Sequence, residues 1–369
     1  MRRSSYDNPC VARFLGCALA LGILGASCLG VAAPASADTL EQALTNAYQD
    51  NPHLVAQCDL ARSAAADAPR ASYGEDLATH MTHLAETSAA MAREALRGTE
   101  QTVLLNAATA YLDLTRDGAL AELQRRNVEL VAEWLRTARG RLDGSAATRA
   151  DVTLGETHLA TVRAMAASAD VQFDRSRIAY REVIGTVAGK LAPAAPADRL
   201  LPPRLVDAIG GGRIRHPEAR AAMLAVEASY LQSKIYESSP HWGVAEEALF
   251  RQAVETLAQR RKDRDAVRDR LQSIVVVAWE QWDAGKSRLL AAQQHVAASE
   301  IGLNGLREKV RTGDHSALDV LDAQQDLVEA RVVLVTAQHD RAATSYRLLA
   351  AAGELNLGNL GIDCRATSR

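Results

Sequence analysis

Asp319-Val320-Leu321-Asp322 is the one constellation in this chain that carries a recognisable mechanism. On a helix, residues i and i+3 share a face, so the two carboxylates project together while Val320 and Leu321 turn toward neighbouring elements. Arranged around a symmetry axis, such pairs make a ring of acid that attracts cations and screens passage through a pore. The same carboxylates also suit the first turn of a helix, where the macrodipole stabilises them. The residues alone leave both readings open. Other chemistry is excluded. Gly285-Lys286-Ser287 resembles the end of a phosphate-binding loop, but the glycine required five positions earlier is Glu280, and the segment sits mid-helix. His80 and His83 share a helix face with Glu86 beyond, yet no fourth ligand is evident. No Gly-x-Ser-x-Gly and no Cys-x-x-Cys occurs. Neither a metal, nor a cofactor, nor an enzymatic reaction is expected.

The elements that must place these aspartates occur twice. Arg141-Leu142-Asp143-Gly144, Asp151-Val152, Leu159, Arg163 and Gly185 are matched by Val310-Arg311-Thr312-Gly313, Asp319-Val320, Leu327, Arg331 and Gly353. From Asp151 and Asp319 onward the separation holds at 168 residues, with 169 between the turn glycines Gly144 and Gly313. Asn51-Pro52 and His216-Pro217 repeat at 165. A duplication this long predicts two equivalent halves and a pseudo-symmetric body rather than one catalytic pocket.

Proline spacing predicts very long helices. None of the ten prolines lies between residues 70 and 192 or after 240, and a proline inside a helix costs ~3 kcal/mol or more. Residues 76–140 are rich in Ala, Leu, Glu and Arg, which favour helix; shorter helices broken at Gly98 or Gly118 are the alternative. Aromatic residues make up only 4% of the chain, so alanine-lined helices packed closely as antiparallel hairpins suit the composition. The expected helices run from about 40 to 68 with a break near Asn51-Pro52, 76–140, 150–188, 217–238, 245–311 and 317–352. Ile274-Val275-Val276-Val277 is β-branched, but helical pattern on both sides makes it buried helix. The fold class is therefore all-α, in two tandem hairpin repeats: 38–190 and 216–355, with a Pro/Gly-rich linker at 191–215 that includes Gly210-Gly211-Gly212, and a tail at 356–369.

Residues 1–37 read as a secretory signal. Arg2, Arg3 and Arg13 precede an apolar run from Phe14 to Ala33, and Ala35-Ser36-Ala37 supplies the small residues of a cleavage site. A retained anchor is the alternative. Without this segment the 42 basic and 45 acidic residues lose three arginines and one aspartate, leaving a net charge of −5. That balance gives no reason to expect nucleic acid, and the mixed run from Arg260 to Arg270 is a solvated face. Of five cysteines, Cys58 and Cys364 remain in the mature chain, where an oxidising compartment would allow them to pair.

At the duplicated residues the chain resembles the TolC family of outer-membrane efflux and type I secretion channels. The segment Thr312-Gly313-Asp314-His315-Ser316-Ala317-Leu318-Asp319-Val320-Leu321-Asp322-Ala323 resembles the family's hairpin turn, and Asn106-Ala107-Ala108-Thr109-Ala110-Tyr111-Leu112 its long-helix motif. The resemblance covers residues 39–355. It implies a homotrimer forming a hollow helical barrel across the periplasm, joined to a β-barrel in the outer membrane of a Gram-negative bacterium. It also implies partnership with a periplasmic adaptor protein and an inner-membrane pump. Asp319 and Asp322 match the constriction aspartates, Asp151 the equivalent position of the first hairpin, and Gly144 and Gly313 the adaptor-facing turns. His315 stands where some members carry an arginine, and Val310 where the gating tyrosine falls. The family inserts two strands in each repeat, and a spanning strand needs ~9–11 residues. Neither Arg70-Ala71-Ser72-Tyr73-Gly74-Glu75-Asp76 nor Pro240-His241-Trp242-Gly243-Val244 holds one. The chain reads as a channel component with both strand pairs cut out. The alternative is a barrel-less periplasmic interaction protein, or a relic that conducts nothing.

Overall fold

The computed structural model describes residues 38–49, 51–66, 75–142, 149–238, 243–312 and 316–362. The signal segment 1–37 and the residues Gly144, Gly313, His315 and Cys364 lie outside that set. Among the described residues the structure is helical, with α1 Leu40–Gln49, α2 Pro52–Ala66, α3 Glu75–Leu142, α4 Arg149–Ile184, α5 Leu205–Ile214, α6 Pro217–Glu237, α7 Val244–Thr312, α8 Ala317–Ala351 and α9 Leu357–Leu360. Their only extended pairing is an isolated bridge between Asp38 and Leu191.

The two long helices are 68 and 69 residues, or roughly 100 Å each at 1.5 Å per residue. Neither Gly98 nor Gly118 interrupts α3. Helix α3 folds back onto α4 and α7 onto α8, and α3 also packs against α8, so the four stand in the row α4, α3, α8, α7. Helix α6 lies across α7 and α3, and α2 lies on α3. Antiparallel hairpins of this kind need little aromatic filling: the main core carries Ala107, Ala108, Ala342 and Ala343 beside Leu104, Leu349 and Tyr111.

Caps explain where helices begin. Asn51 Oδ1 accepts from the backbone amides of His53 (3.0 Å) and Leu54 (3.3 Å), and Pro52 then opens α2. The duplicated position uses a histidine instead: His216 Nδ1 accepts from the amide of Glu218, and Pro217 opens α6. Glycine in the left-handed region follows the C-termini of α4 and α8, with φ of +85° at Gly185 and +71° at Gly353. Gly185 is the reason α4 stops at Ile184 rather than near 188.

Two expectations are corrected. Gly210-Gly211-Gly212, read as linker, lies inside α5. A Cβ on Gly211 would sit 2.7 Å from the carbonyl oxygen of Ala352, and one on Gly212 2.7 Å from Val275 Cγ2. The glycines permit close approach of α5 to α7 and the end of α8, and that packing offsets their poor helix propensity. Of the β-branched run, Val275 is fully buried, but Ile274 and Val277 face outward.

Tyr111 ties the start of the chain to the inter-repeat segment. Its hydroxyl lies 2.8 Å from the carbonyl oxygen of Asp38 and 2.6 Å from that of Ala192. A single phenolic hydrogen serves both.

The His216 cap makes stability pH-dependent. Burial, with Arg270 nearby, holds its pKa below the usual histidine value. The native state therefore binds fewer protons than the unfolded chain, and stability present above pH ~6.5 is lost as pH falls through the depressed value. Thermal unfolding across a pH series should show this acid-side decline, and His216→Asn, which keeps a capping acceptor without a titrating ring, should flatten it. An unchanged slope in the variant would refute the assignment.

Candidate functional site: the hairpin tips

The far end of the row is held by a small separate core. Val131 and Leu135 of α3, Leu159 and Val162 of α4, and Leu321 of α8 meet there, flanked by Trp134, Val152 and Leu318. Gly155 of α4 lies directly under the Trp134 ring, where any Cβ would collide with it. Trp134 Nε1 donates to the carbonyl oxygen of Ala317 at 3.0 Å, and Asn127 Nδ2 donates to Gln325 Oε1 at 3.2 Å. These two bonds fasten the first hairpin to the first turns of α8, which carry the aspartates.

The two aspartates take different roles. Ser316 is the N-cap of α8, its hydroxyl accepting from the amide of Asp319, while the Asp319 carboxylate accepts from the amide of Ser316 at 2.9 Å. That reciprocal capping box folds Asp319 back over the helix end. Asp322 faces solvent, its side chain 60% exposed, with its Oδ1 3.9 Å from His158 Nε2 on α4. Leu321 points into the core between them. The two carboxylates therefore do not project together in the isolated chain: Asp319 is turned back onto the Ser316 amide and Asp322 reaches outward. Asp151 is half-buried in the first turn of α4, Val310 lies in the last turns of α7, and Cys58 is half-buried on α2.

Sequence reasoning missed Trp134, Asn127, Gln325 and His158. Trp134 had a signal, being one of four tryptophans and placed near a turn. Nothing local marks the other three, because their partners lie far away in the chain.

Further up the row, Asp117 of α3 is buried and receives the Ser176 hydroxyl, Gln172 Nε2 at 3.2 Å and Arg116 Nε at 2.7 Å. Burial alone would push its pKa up, but these donors outweigh it and hold the carboxyl below the usual range. The site is a structural tie between α3 and α4. Among the described residues no group of three or more His, Cys, Asp or Glu side chains is gathered for a metal. No described helix is long and apolar enough to cross a membrane. Helix α2 ends at Ala66 and α3 begins at Glu75, while α6 ends at Glu237 and α7 begins at Val244. The connections span residues 67–74 and 238–243, each shorter than one spanning strand of ~9–11 residues.

The structure is thus two long antiparallel hairpins that share a small core near their tips. In sequence comparison, a family model described as outer membrane efflux protein matches residues 242–354. The outer membrane efflux protein BepC of Brucella suis biovar 1 (strain 1330) is 30% identical over 315 residues, which are 75% of this chain and 69% of that protein. The chain belongs to this outer membrane efflux family, the family of TolC. The fold agrees too. The outer membrane channel CmeC of Campylobacter jejuni superposes with a TM-score of 0.71 at 10% identity, over 85% of each chain. The open-state outer membrane channel MtrE of Neisseria gonorrhoeae gives 0.71 at 14% identity, over 86% of this chain and 89% of that one. VceC of Vibrio cholerae gives 0.68 at 15%, over 85% and 96%. The family is one of efflux channel components rather than enzymes.

Proposed function

We propose that this chain is the outer-membrane-side channel component of a tripartite efflux or type I secretion system. Three copies would form a helical conduit through which small molecules or proteins leave the periplasm without covalent change. The hairpin tips, with Gly144, Gly313 and His315 at their turns, dock a periplasmic adaptor that connects to an inner-membrane pump. Asp319, Asp322 and Asp151 line the constriction. Residues 1–37 direct export, and the mature chain works in the periplasm against the outer membrane of a Gram-negative bacterium. The observation that carries this reading is the tip itself. Leu321 is locked into a core shared by both hairpins, so the exposed carboxylate of Asp322 is held at a fixed place beside the turn.

The short connections at 67–74 and 238–243 favour a second reading, in which the same helices form a periplasmic interaction protein without a conduit. Fractionation separates the two. A conduit component is recovered with the outer membrane and has the mass of three chains in its presence, whereas a soluble periplasmic monomer sinks the conduit.

The acidic constriction has its own test. Replacing Asp319 and Asp322 together with asparagine keeps an acceptor oxygen for the Ser316 amide, so the fold survives, with a stability loss of about 0.3–1 kcal/mol per site from the helix terminus. Calorimetric titration with a multivalent cation should show binding by the wild-type assembly and none by the double variant. Equal binding in both would leave the aspartates as helix-end residues.

A further inference from the structure

Asp38 is bonded through its amide, its carbonyl and its carboxylate. Its backbone nitrogen donates to the carbonyl oxygen of Lys190 at 2.8 Å, and its own carbonyl oxygen accepts from the amide of Ala192 at 2.9 Å. Those two bonds make the isolated parallel bridge to Leu191. The same carbonyl accepts from the Tyr111 hydroxyl, and Asp38 Oδ2 accepts from the amide of Gly189 at 2.9 Å. The next residue is bonded as well. Thr39 caps α1, its hydroxyl accepting from the amide of Gln42 at 3.3 Å while Gln42 Oε1 accepts from the Thr39 amide at 2.9 Å. This reciprocal pair is a capping box.

The sequence marks the same residue from the other side. Ala35-Ser36-Ala37 puts small residues at the third and first positions before a cut that leaves Asp38 first. The residue that the cut exposes is thus one that the fold bonds on three sides. Proteolytic cutting needs backbone that is exposed and free of such bonds. Asp38 and Thr39 cannot lie in a peptidase cleft and in these contacts at once.

We propose that the Ala37–Asp38 bond is cut before these contacts form, and that the α-ammonium so created is a structural group, held on the Lys190 carbonyl beside the Asp38 carboxylate. Hydrolysis consumes one water and leaves a carboxylate on Ala37 and an ammonium on Asp38. A charged donor bonds a carbonyl about twice as strongly as a neutral amide does. The cut therefore strengthens the tie between the chain start and the segment that follows α4. The titratable groups around this point are the Asp38 carboxylate, Glu41 in the first turn of α1, the Tyr111 and Tyr180 phenols, and the exposed Lys190. Burial pushes the Tyr111 phenol up to about 12 and raises that of Tyr180. Both phenols stay neutral where an α-amine, ordinarily at about 7.7–8.0, gives up its proton. The inference rests on the reading of residues 1–37 as an export leader and goes beyond it in giving the new N-terminus a place in the fold.

N-terminal sequencing and intact mass of the exported protein should show one chain beginning at Asp38. A chain recovered uncut overturns the leader reading itself, whereas a chain cut at another bond overturns this inference alone. Three versions of the mature chain, released from a cleavable fusion, then weigh the ammonium. One begins at Asp38, one keeps Ala-Ser-Ala before it, and one begins at Thr39. At about pH 7 the Asp38 chain should unfold at the highest denaturant concentration. Its lead over the extended chain should vanish by about pH 10, because a fold that favours the charged amine loses that stability as the proton leaves. Its lead over the Thr39 chain should persist in part, since the bridge and the Gly189 bond are missing there at any pH. Equal midpoints of the Asp38 and extended chains at about pH 7, or a lead that does not change with pH, would overturn the structural ammonium.

Discussion

Gly353→Ala should destabilise the protein by about 2–5 kcal/mol, roughly twice the effect of the same change at Gly185. The two glycines are duplicated, both follow a long helix, and both have positive φ, at +71° and +85°. A left-handed alanine costs roughly 1–2 kcal/mol at either place. The surroundings differ. A Cβ on Gly353 would sit 2.6 Å from both the backbone nitrogen and Cα of His216 and 3.0 Å from the backbone carbon of Arg215. Those are main-chain atoms that cannot swing aside, so overpacking of about 1–3 kcal/mol is added. Around Gly185 nothing lies within 4 Å of the added atom. Gly353 also packs at the His216 cap, so the damage spreads to the start of α6. Denaturant unfolding of both variants measures the difference; equal losses would mean that strain alone matters and the close approach does not.

That contrast shows what the sequence could and could not disclose. Long helices were legible because a proline-free, alanine-rich stretch has few alternatives, and the break before Pro52 was legible because Asn51-Pro52 is a cap followed by a first-turn proline. Glycine was ambiguous. It ends a helix at Gly185, passes through one at Gly98, and permits a close crossing at Gly155 and at Gly211-Gly212. Which use applies depends on what packs there, and the packing partners are tens to hundreds of residues away. Of the two aspartates, Asp319 lies in the first turn of α8 and Asp322 one turn further on. Ser316, three positions before Asp319, is the local signal of the capping box. His158 beside Asp322 had no local signal at all. The β-branched run at 274–277 reads as buried because helical pattern continues on both sides, but that pattern does not say which of its residues meet a neighbour. The outward faces of Ile274 and Val277 belong to the edge of a row.

Asp198→Ala should be among the most damaging single changes in the chain, at about 3–5 kcal/mol, and more damaging than Arg341→Met. Asp198 lies in the short 3-10 turn Asp198–Leu200 between the repeats. Its carboxylate accepts from Trp282 Nε1 at 2.8 Å and pairs with Arg341 Nη2. Arg341 is almost wholly buried, and its other nitrogen donates to the carbonyl oxygen of Trp282 at 2.9 Å. Its guanidinium lies 4.8 Å from the Trp282 ring centroid, and Lys286 Nζ lies 3.7 Å from the same centroid. Removing the carboxylate leaves a buried cation without its counter-charge and an indole hydrogen without an acceptor, and a broken buried pair costs about 3–5 kcal/mol. Removing the arginine is milder. The Asp198 side chain is 40% exposed, so water solvates the charge left behind, while methionine refills part of the space against the ring. The sign of the coupling follows. Once Arg341 is methionine, the loss of Asp198 strands no buried charge and only the Trp282 indole hydrogen, so the double variant should be more stable than Asp198→Ala alone despite carrying one more change. Denaturant unfolding of the wild type, the two single variants and the double variant closes the cycle. If the double variant is the least stable of the four, the inter-repeat turn is held by independent contacts rather than by a neutralised buried charge.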